Sequence, residues 1–292
     1  MEASQKKNPW LREESSILEV YHMETGQREA LARFDGVIEA PNWSKDGSFL
    51  IYNSGGRLYR FDLGSRTSSG IPTGFAAACN NDHVLSPDGT GIAISHMTRE
   101  DLQSRVYTLP IAGGAPQLVT PLGPSYLHGW SPDGKTLAYC AQRGGEFDVY
   151  TVPAGGGEEV RLTSAPGLND GPEYSPDGKY IWFNSVRTGL MQAWRMRADG
   201  SEQTQMTFDL DRNTWFPHIS PDGKQVVMLA YRKGDLEPGE HLPGKQVELR
   251  LMEASGGSVR TIAELYGGQG TINVNSWSPD SKHFAFVSYQ PK

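Results

Sequence analysis

Short apolar runs recur along the whole chain, and each follows a polar turn. The clearest are LAYC at 137–140, IWF at 181–183, VVML at 226–229 and FAFV at 284–287. Apolar runs of this length, bounded by Gly, Pro, Asp and Ser, are typical of β-strands. A second hairpin follows downstream, as in VYTV at 149–152 and EEVRLT at 158–163. The pattern therefore predicts units of four short strands.

The turn that precedes each run has nearly the same sequence in six places. The copies are WSKDG at 43–47, LSPDG at 85–89, WSPDG at 130–134, YSPDG at 174–178, ISPDG at 219–223 and WSPDS at 277–281. Their Asp residues are separated by 42, 45, 44, 45 and 58 positions. Pro presets the first corner of a turn, Asp bonds the downstream backbone, and Gly accepts a positive φ. Four strands in about 45 residues is the spacing of a propeller blade, so we predict an all-β, six-bladed β-propeller.

The two ends of the chain complement each other. The sixth repeat has its turn at Asp280 and one strand, 283–288, whereas residues 17–33 form a hairpin ahead of the first turn. We predict that residues 17–33 complete the sixth blade beside 284–288, because this closure removes two exposed sheet edges. Residues 1–14 are then a polar N-terminal tail, and residues 15–292 form one propeller domain.

The 58-residue interval contains an insertion at 233–245, rich in Gly, Pro and charged residues. Such a composition indicates a surface loop. Two alternatives remain open at this point. The insertion is either a lid over one face of the ring or an inert excursion.

Composition narrows the class of partner. The net charge is −7 with acidic and basic residues interspersed, which argues against nucleic acid, since that surface needs a basic stripe. No run approaches the roughly 18 apolar residues of a membrane span, so we expect no membrane insertion. The N-terminus lacks the apolar core of a signal peptide, so we expect a cytoplasmic protein, or a periplasmic one only if a leader was removed. We also expect a monomer. Cys79 and Cys140 are expected to be buried free thiols.

The Ser-Pro-Asp-Gly repeats resemble the WD40-like (PD40) repeats of the TolB-like β-propellers, which are six-bladed. The resemblance covers residues 17–289. It implies a propeller that binds a ligand or a protein partner. We expect no counterpart of the separate N-terminal domain of TolB, so the resemblance does not imply the transport role of TolB itself. A more distant resemblance, to the oligogalacturonate lyases, implies an enzyme with a metal held by propeller histidines and a glutamine.

The residues before each turn approach the central channel of a propeller, and here they are unusually polar. The candidate funnel residues are Asn81, Asp82, His83, Tyr126, His128, Asp170, Glu173, Trp215, His218, Gln269 and Asn273. They bring imidazoles, carboxylates, amides and aromatic rings to equivalent points around one axis. Convergent polar groups at the mouth of a ring predict a ligand-binding funnel.

Two kinds of chemistry are compatible with this set. His83, His128 and His218 can hold a divalent metal such as Mn, Zn or Ca, with Asp170 and Glu173 completing the shell or acting as acid and base. Alternatively, they are hydrogen-bonded histidines in a wet channel. Trp215 either plugs the channel or stacks on a sugar.

Two functions follow from these alternatives. The first is a non-catalytic propeller that binds a small molecule, a glycan, a peptide segment or a protein partner at the funnel. The second is a metal-dependent glycan lyase or hydrolase, for which no catalytic residue can be assigned. Neither a Gly-x-Ser-x-Gly elbow nor a P-loop occurs in the sequence, so nucleophilic catalysis has no support.

Overall fold

The computed structural model describes residues 13–291 and is an all-β, six-bladed propeller, as predicted. Strands are numbered in chain order, and neighbouring strands within each blade are antiparallel. All but two residues of the predicted polar tail lie outside the described part. Within that part, no helix is long and apolar enough to cross a membrane.

Five blades each contain four consecutive strands, ordered from the channel outwards. Blade 1 is β3 (Glu39–Trp43), β4 (Phe49–Ser54), β5 (Arg57–Asp62) and β6 (Thr67–Ile71). Blade 2 is β7 (Cys79–Leu85), β8 (Gly91–Met97), β9 (Ser104–Pro110) and β10 (Gln117–Leu118). Blade 3 is β11 (Ser125–Trp130), β12 (Thr136–Arg143), β13 (Glu146–Pro153) and β14 (Val160–Arg161). Blade 4 is β15 (Asn169–Tyr174), β16 (Tyr180–Ser185), β17 (Gln192–Arg197) and β18 (Thr204–Gln205). Blade 5 is β19 (Arg212–Ile219), β20 (Gln225–Arg232), β21 (Lys245–Glu253) and β22 (Arg260–Gly267), and a 3-10 helix, Gln269–Thr271, leads into blade 6.

Blade 6 joins the two ends of the chain. β23 (His283–Pro291) pairs antiparallel with β1 (Glu14–His22) along the whole length of both strands. β2 (Arg28–Phe34) lies outside β1, and a bridge between Trp277 and Phe284 marks the innermost segment. This arrangement confirms the predicted closure by N-terminal strands.

The serine of each repeated turn holds the turn together. In blade 3, the Ser131 hydroxyl donates to Asp133 and accepts from the backbone N–H of Thr136, at 2.6 and 2.9 Å. Asp133 also accepts from the N–H of Lys135. The Ser-to-Asp bond recurs in all six copies, as Ser44–Asp46, Ser86–Asp88, Ser175–Asp177, Ser220–Asp222 and Ser278–Asp280 at 2.6–2.7 Å. Because the Asp and Ser groups satisfy backbone donors within the turn, the motif fixes the hairpin geometry locally.

The core lies between the blades and explains the alternation of the apolar runs. Ile181 and Phe183 pack with Val149 of blade 3. Trp182, between them in sequence, packs with Met228 of blade 5. Successive side chains of a strand point to opposite faces of the sheet, so each blade is covered on both sides by its neighbours. Cys79 and Cys140 are buried and free, as predicted, and burial raises the pKa of Cys79 to about 12.

Closure can be tested by truncation. Deleting residues 1–34 removes the full-length partner of β23 and exposes its edge, so we expect loss of the cooperative thermal transition or aggregation. Deleting residues 1–12 leaves every described strand in place and is the control, with a melting temperature close to that of the full chain. A cooperative transition in the longer deletion, at the wild-type temperature, would contradict the importance of this closure.

The repeated turn can be tested at Gly134, whose φ is 71°. The Gly134→Val variant places a β-branched side chain in the left-handed region and should lose at least about 1 kcal/mol in free energy of unfolding. Gly134→Asn is the matched control, because Asn tolerates this conformation, as does Ser281 at the equivalent position with φ 60°. Equal denaturant midpoints for the two variants would show that backbone conformation does not limit this position.

Candidate functional site

The central channel has two different ends. The inner strands start at one end, here called the polar end, and reach the Ser-Pro-Asp-Gly turns at the other. At the turn end lies a cavity of about 270 Å³, here called the mouth, which is lined by all six blades. The residue before the serine of each turn lines it, namely Trp43, Leu85, Trp130, Tyr174, Ile219 and Trp277. Five turn prolines complete the wall, Pro87, Pro132, Pro176, Pro221 and Pro279.

The three indole rings of the mouth are held by hydrogen bonds. Trp43 donates to the carbonyl of Gly47 at 3.3 Å, and Trp130 donates to the carbonyl of Val84 at 3.0 Å. Trp277 donates to the carbonyl of His218 in blade 5 at 3.0 Å. Because their polar atoms are satisfied within the protein, the rings present apolar surface to the cavity.

Behind the mouth, a hydrogen-bonded belt links the blades, and we call it the inner belt. Asn42 accepts from the N–H of Leu85 at 2.8 Å and donates to the carbonyl of Asn275 at 2.7 Å. Asn275 donates to Glu173 at 2.6 Å and to the carbonyl of Ile219 at 2.9 Å. The N–H of Ile219 donates to Glu173 at 3.0 Å. The belt therefore connects blades 2, 1, 6, 5 and 4 through side chains that sequence analysis had assigned to a funnel or left aside.

His218 belongs to this belt. Its Nδ1 lies 2.6 Å from Glu173 Oε2, and its Nε2 lies 2.6 Å from the carbonyl oxygen of Ile272. A carbonyl oxygen only accepts, so Nε2 donates its proton there. His218 is 4% exposed and has both nitrogens engaged, which leaves no lone pair directed at the channel.

His128 and Asp170 form a buried pair between blades 3 and 4. His128 Nε2 lies 3.1 Å from Asp170 Oδ1, and the imidazole stacks on Phe216, with ring centroids 6.1 Å apart. Burial opposes the charge on His128, but its hydrogen bond to Asp170 and the nearby carboxylates outweigh burial and raise its pKa. Burial likewise opposes the charge on Asp170, yet His128 holds the pKa of this carboxyl at about 2. Each group therefore stabilises the charged form of the other.

A third group of candidate residues lies at the polar end. Asn273 donates to Asp82 at 2.6 Å and to the carbonyl of Asn81 at 3.3 Å. Gln269 donates to the side chain of Asn81 at 3.3 Å. Burial raises the pKa of Asp82, although His128 and the Asn273 side chain oppose the shift. The network links blades 2 and 6 across the channel.

The three histidines do not converge as a metal site. His83 is fully buried, and burial lowers its pKa to about 4, with the backbone carbonyls of Ile51 and Ala40 in blade 1 opposing the shift. Among the residues the structure describes, no group of three His, Cys, Asp or Glu side chains is placed to hold a metal. The structure therefore does not bring His83, His128 and His218 together as one set of ligands among the residues that it describes. The inner strands are bulged at these positions, and a bulge re-aims the side chains next to it.

The insertion at 233–245 covers the polar end. His241 packs edge-on against Trp215 and Phe216, with ring centroids 4.4 and 5.5 Å away, and its Nε2 is 3.9 Å from Asp170 Oδ2. The insertion is anchored where the Tyr231 hydroxyl donates to the carbonyl of Leu242 at 3.0 Å. The structure thus supports the lid alternative for this loop. Trp215, fully buried beneath it, plugs the channel.

Most of the predicted funnel is therefore interior. Tyr126 and Gln269 are half-buried, and the other nine candidate residues are buried. Of these nine, His128 and Glu173 border the mouth. The other seven lie in the interior, where Asp82, for example, accepts a hydrogen bond from Asn273. Sequence reasoning missed the apolar residues of the mouth, which directly precede the turn serines, and it also missed His241. Its one signal was the 58-residue interval, which marks an insertion without indicating where it folds.

The family comparison agrees with this architecture. Residues 85–241 match the model of the TolB β-propeller domain (PD40). An uncharacterized protein of Agrobacterium fabrum is 47% identical over 277 residues, which covers 94% of this chain and 93% of that protein. A solved structure assigned to TolB from Agrobacterium tumefaciens is similar with a TM-score of 0.91 and 46% identity, over 96% of this chain and 99% of that one.

More distant structures share the fold alone. TolB from Acinetobacter baumannii superposes with a TM-score of 0.69 at 19% identity, over 96% of this chain and 67% of that chain. An oligogalacturonate lyase from Vibrio parahaemolyticus superposes with a TM-score of 0.53 at 11% identity, over 96% and 99% of the two chains.

The buried ion pair predicts a pH dependence. The folded pKa of His128 lies above its ordinary value of 6.5, so the stabilisation by the pair is complete below about pH 6.5 and is lost as pH rises through the folded pKa. On the acid side, the contribution of Asp170 is present above its ordinary value of 3.8 and is lost as pH falls towards about 2.

An NMR titration of the His128 ring measures this directly. In Asp170→Asn, burial is no longer offset by the ion pair, so the pKa of His128 should fall below that in the wild-type protein. Asp133→Asn, on an exposed turn, is the control and should leave the titration unchanged. The same His128 pKa in wild type and Asp170→Asn would rule out the pair as its cause.

Proposed function

The chain belongs to the TolB β-propeller family, and from that premise we propose that it is a non-catalytic binding protein. Its ligand in this proposal is an extended peptide segment of a partner protein. The segment inserts side chains into the mouth. The observation that carries the proposal is the mouth itself, a cavity to which each of the six blades contributes one large apolar residue.

The size and lining of the mouth favour protein side chains. An apolar cavity of about 150 Å³ accommodates one benzene ring, so the 270 Å³ of the mouth suits one or two large side chains. Buried aromatic and aliphatic anchors of this kind contribute most of the energy in protein interfaces. The ring of Trp43, Trp130, Tyr174 and Trp277 supplies rigid partners for them.

The channel is accessible from one end. Trp215 and His241 pack together over the polar end, so a ligand reaches the channel through the mouth. Asn42, Glu173 and Asn275 also border the mouth and give it polar groups. These groups are already bonded to one another, so they fix the shape of the cavity before binding, which lowers the cost of association.

The alternative of a metal-dependent glycan lyase or hydrolase finds no supporting geometry. The carboxylates and imidazoles nearest the axis are used in pairs, His218 with Glu173 and His128 with Asp170. A general base needs a free lone pair within reach of substrate, and these groups are directed at each other. The likeness to the lyase fold, at 11% identity, concerns architecture.

Binding can be tested with a phage-displayed library of random twelve-residue peptides, selected on the full chain. Affinities of the selected peptides are then measured by fluorescence polarisation. Trp43→Ala removes a rim aromatic and should weaken binding about tenfold or more. The matched control is Phe208→Ala, which removes an exposed aromatic ring beside the insertion, away from the mouth, and should leave affinity unchanged.

Thermal melts of both variants establish that each is folded. Peptides whose affinity falls in Phe208→Ala but not in Trp43→Ala would place binding on the opposite face and overturn the proposal. Failure to select any peptide, together with binding of an oligosaccharide panel, would replace the peptide by a glycan.

A further inference from the structure

We propose that a carboxylate of the bound segment pairs with Arg195, which lies in a cleft running outwards from the mouth between blades 4 and 5. This inference rests on the proposed function, because the segment must first be anchored in the mouth. It adds the chemistry and the position of a second contact, and so a sequence requirement for the partner.

The cleft has a volume of about 570 Å³ and is continuous with the mouth. Ser175, Pro176, Ile219 and Pro221 line both cavities. Farther out, the cleft is bordered by strands of blade 4 on one side and by turns of blade 5 on the other. A chain leaving the mouth along this path stays in contact with the protein.

Arg195 is held in position within this cleft. Its guanidinium carbon lies 4.4 Å from the ring centroid of Tyr180 and 5.6 Å from that of Trp182, and its Nη1 donates to the carbonyl of Ala254 at 3.3 Å. Stacking and this one bond restrict the side chain, so less entropy is lost when it binds a ligand. The guanidinium has five N–H donors in all. Those not bonded to Ala254 can donate two hydrogen bonds to one carboxylate.

No carboxylate forms an ion pair with Arg195 within residues 13–291. Its neighbour Arg197 is the contrast, because it stacks on the same Tyr180 at 4.9 Å but is paired with Glu202 at 3.0 Å. Other arginines of the ring, such as Arg143 with Glu159 and Arg161 with Asp148, are also paired. Arg195 is thus a positioned cation whose counter-charge is missing.

The acidic residues of the cleft do not supply that counter-charge. Asp177 and Asp222 line the cleft, but Asp177 faces Lys179 at 3.2 Å and Asp222 faces Lys224 at 3.4 Å. With these charges balanced, Arg195 leaves the cleft with an excess positive charge. A segment carrying Asp or Glu complements it, and guanidinium–carboxylate pairing adds two parallel hydrogen bonds.

The fold also sets the spacing in the segment. Arg195 is on β17, two strand separations outwards from β15, or about 10 Å. An extended chain covers roughly 3.3–3.6 Å per residue. The acidic residue should therefore lie about three residues from the side chain that anchors in the mouth.

The same phage-displayed library tests this inference. Selected peptides should be enriched in Asp or Glu two to four residues from an aromatic or aliphatic anchor. Arg195→Gln should lower the affinity for a peptide that carries Glu at this position by at least about fivefold. Replacing that Glu of the peptide by Gln should lower the affinity for the wild-type protein equally. In the double change the two losses should not add, which identifies a direct pair. Arg197→Gln is the matched control and should leave affinity unchanged.

The outcomes separate this inference from the proposed function. Peptides that bind the mouth and lose affinity with Trp43→Ala, yet show no acidic enrichment and no response to Arg195→Gln, would overturn the pairing and leave the proposed function standing. Additive losses in the double change would also overturn it. If no peptide binds, both fall together. Thermal melts of Arg195→Gln and Arg197→Gln confirm that the comparison is between folded proteins.

Discussion

Closure of the ring is the constraint on which the rest of this structure depends. Each blade has an apolar surface on both faces, as Trp182 and Phe183 illustrate, so no blade is stable without a neighbour on each side. A closed ring satisfies this for all six blades at once. Pairing of β1 with β23 joins the two ends of the chain within blade 6. Near the axis, the inner belt links neighbouring blades through Asn42, Asn275 and Glu173.

The same constraint explains why polar residues near the axis are buried. Six inner strands converge there, and their bulges leave backbone donors and acceptors that need partners. Glu173 satisfies the N–H of Ile219 and the imidazole of His218, so it serves the junction of blades 4 and 5. Buried charges are tolerated because they are paired. The histidines and carboxylates near the axis thus bond each other between blades, and the open apolar mouth is the surface on which the proposed ligand would bind.

The fold was predictable and most of the site was not, for physical reasons. The repeated turn is a local device in which Ser131 and Asp133 satisfy their own backbone, so its spacing reveals the blades directly. Side-chain direction at the axis depends instead on the bulges of the inner strands. At one of them Phe216, a non-glycine residue, adopts a φ of 52°, and the residue type does not predict this conformation. The path of the insertion is equally non-local, since His241 reaches the channel only through contacts with Trp215 and Phe216.

The pairing of β1 with β23 has a further consequence for biosynthesis. Glu19 and Ser288, which bond each other across this junction, are 269 residues apart. At a translation rate of roughly 5–20 residues per second, β1 leaves the ribosome on the order of ten seconds or more before its partner strand exists. During that time the hairpin of β1 and β2 has an unpaired edge, which can pair with other chains. The first hairpin therefore remains exposed to other chains until the last strand emerges.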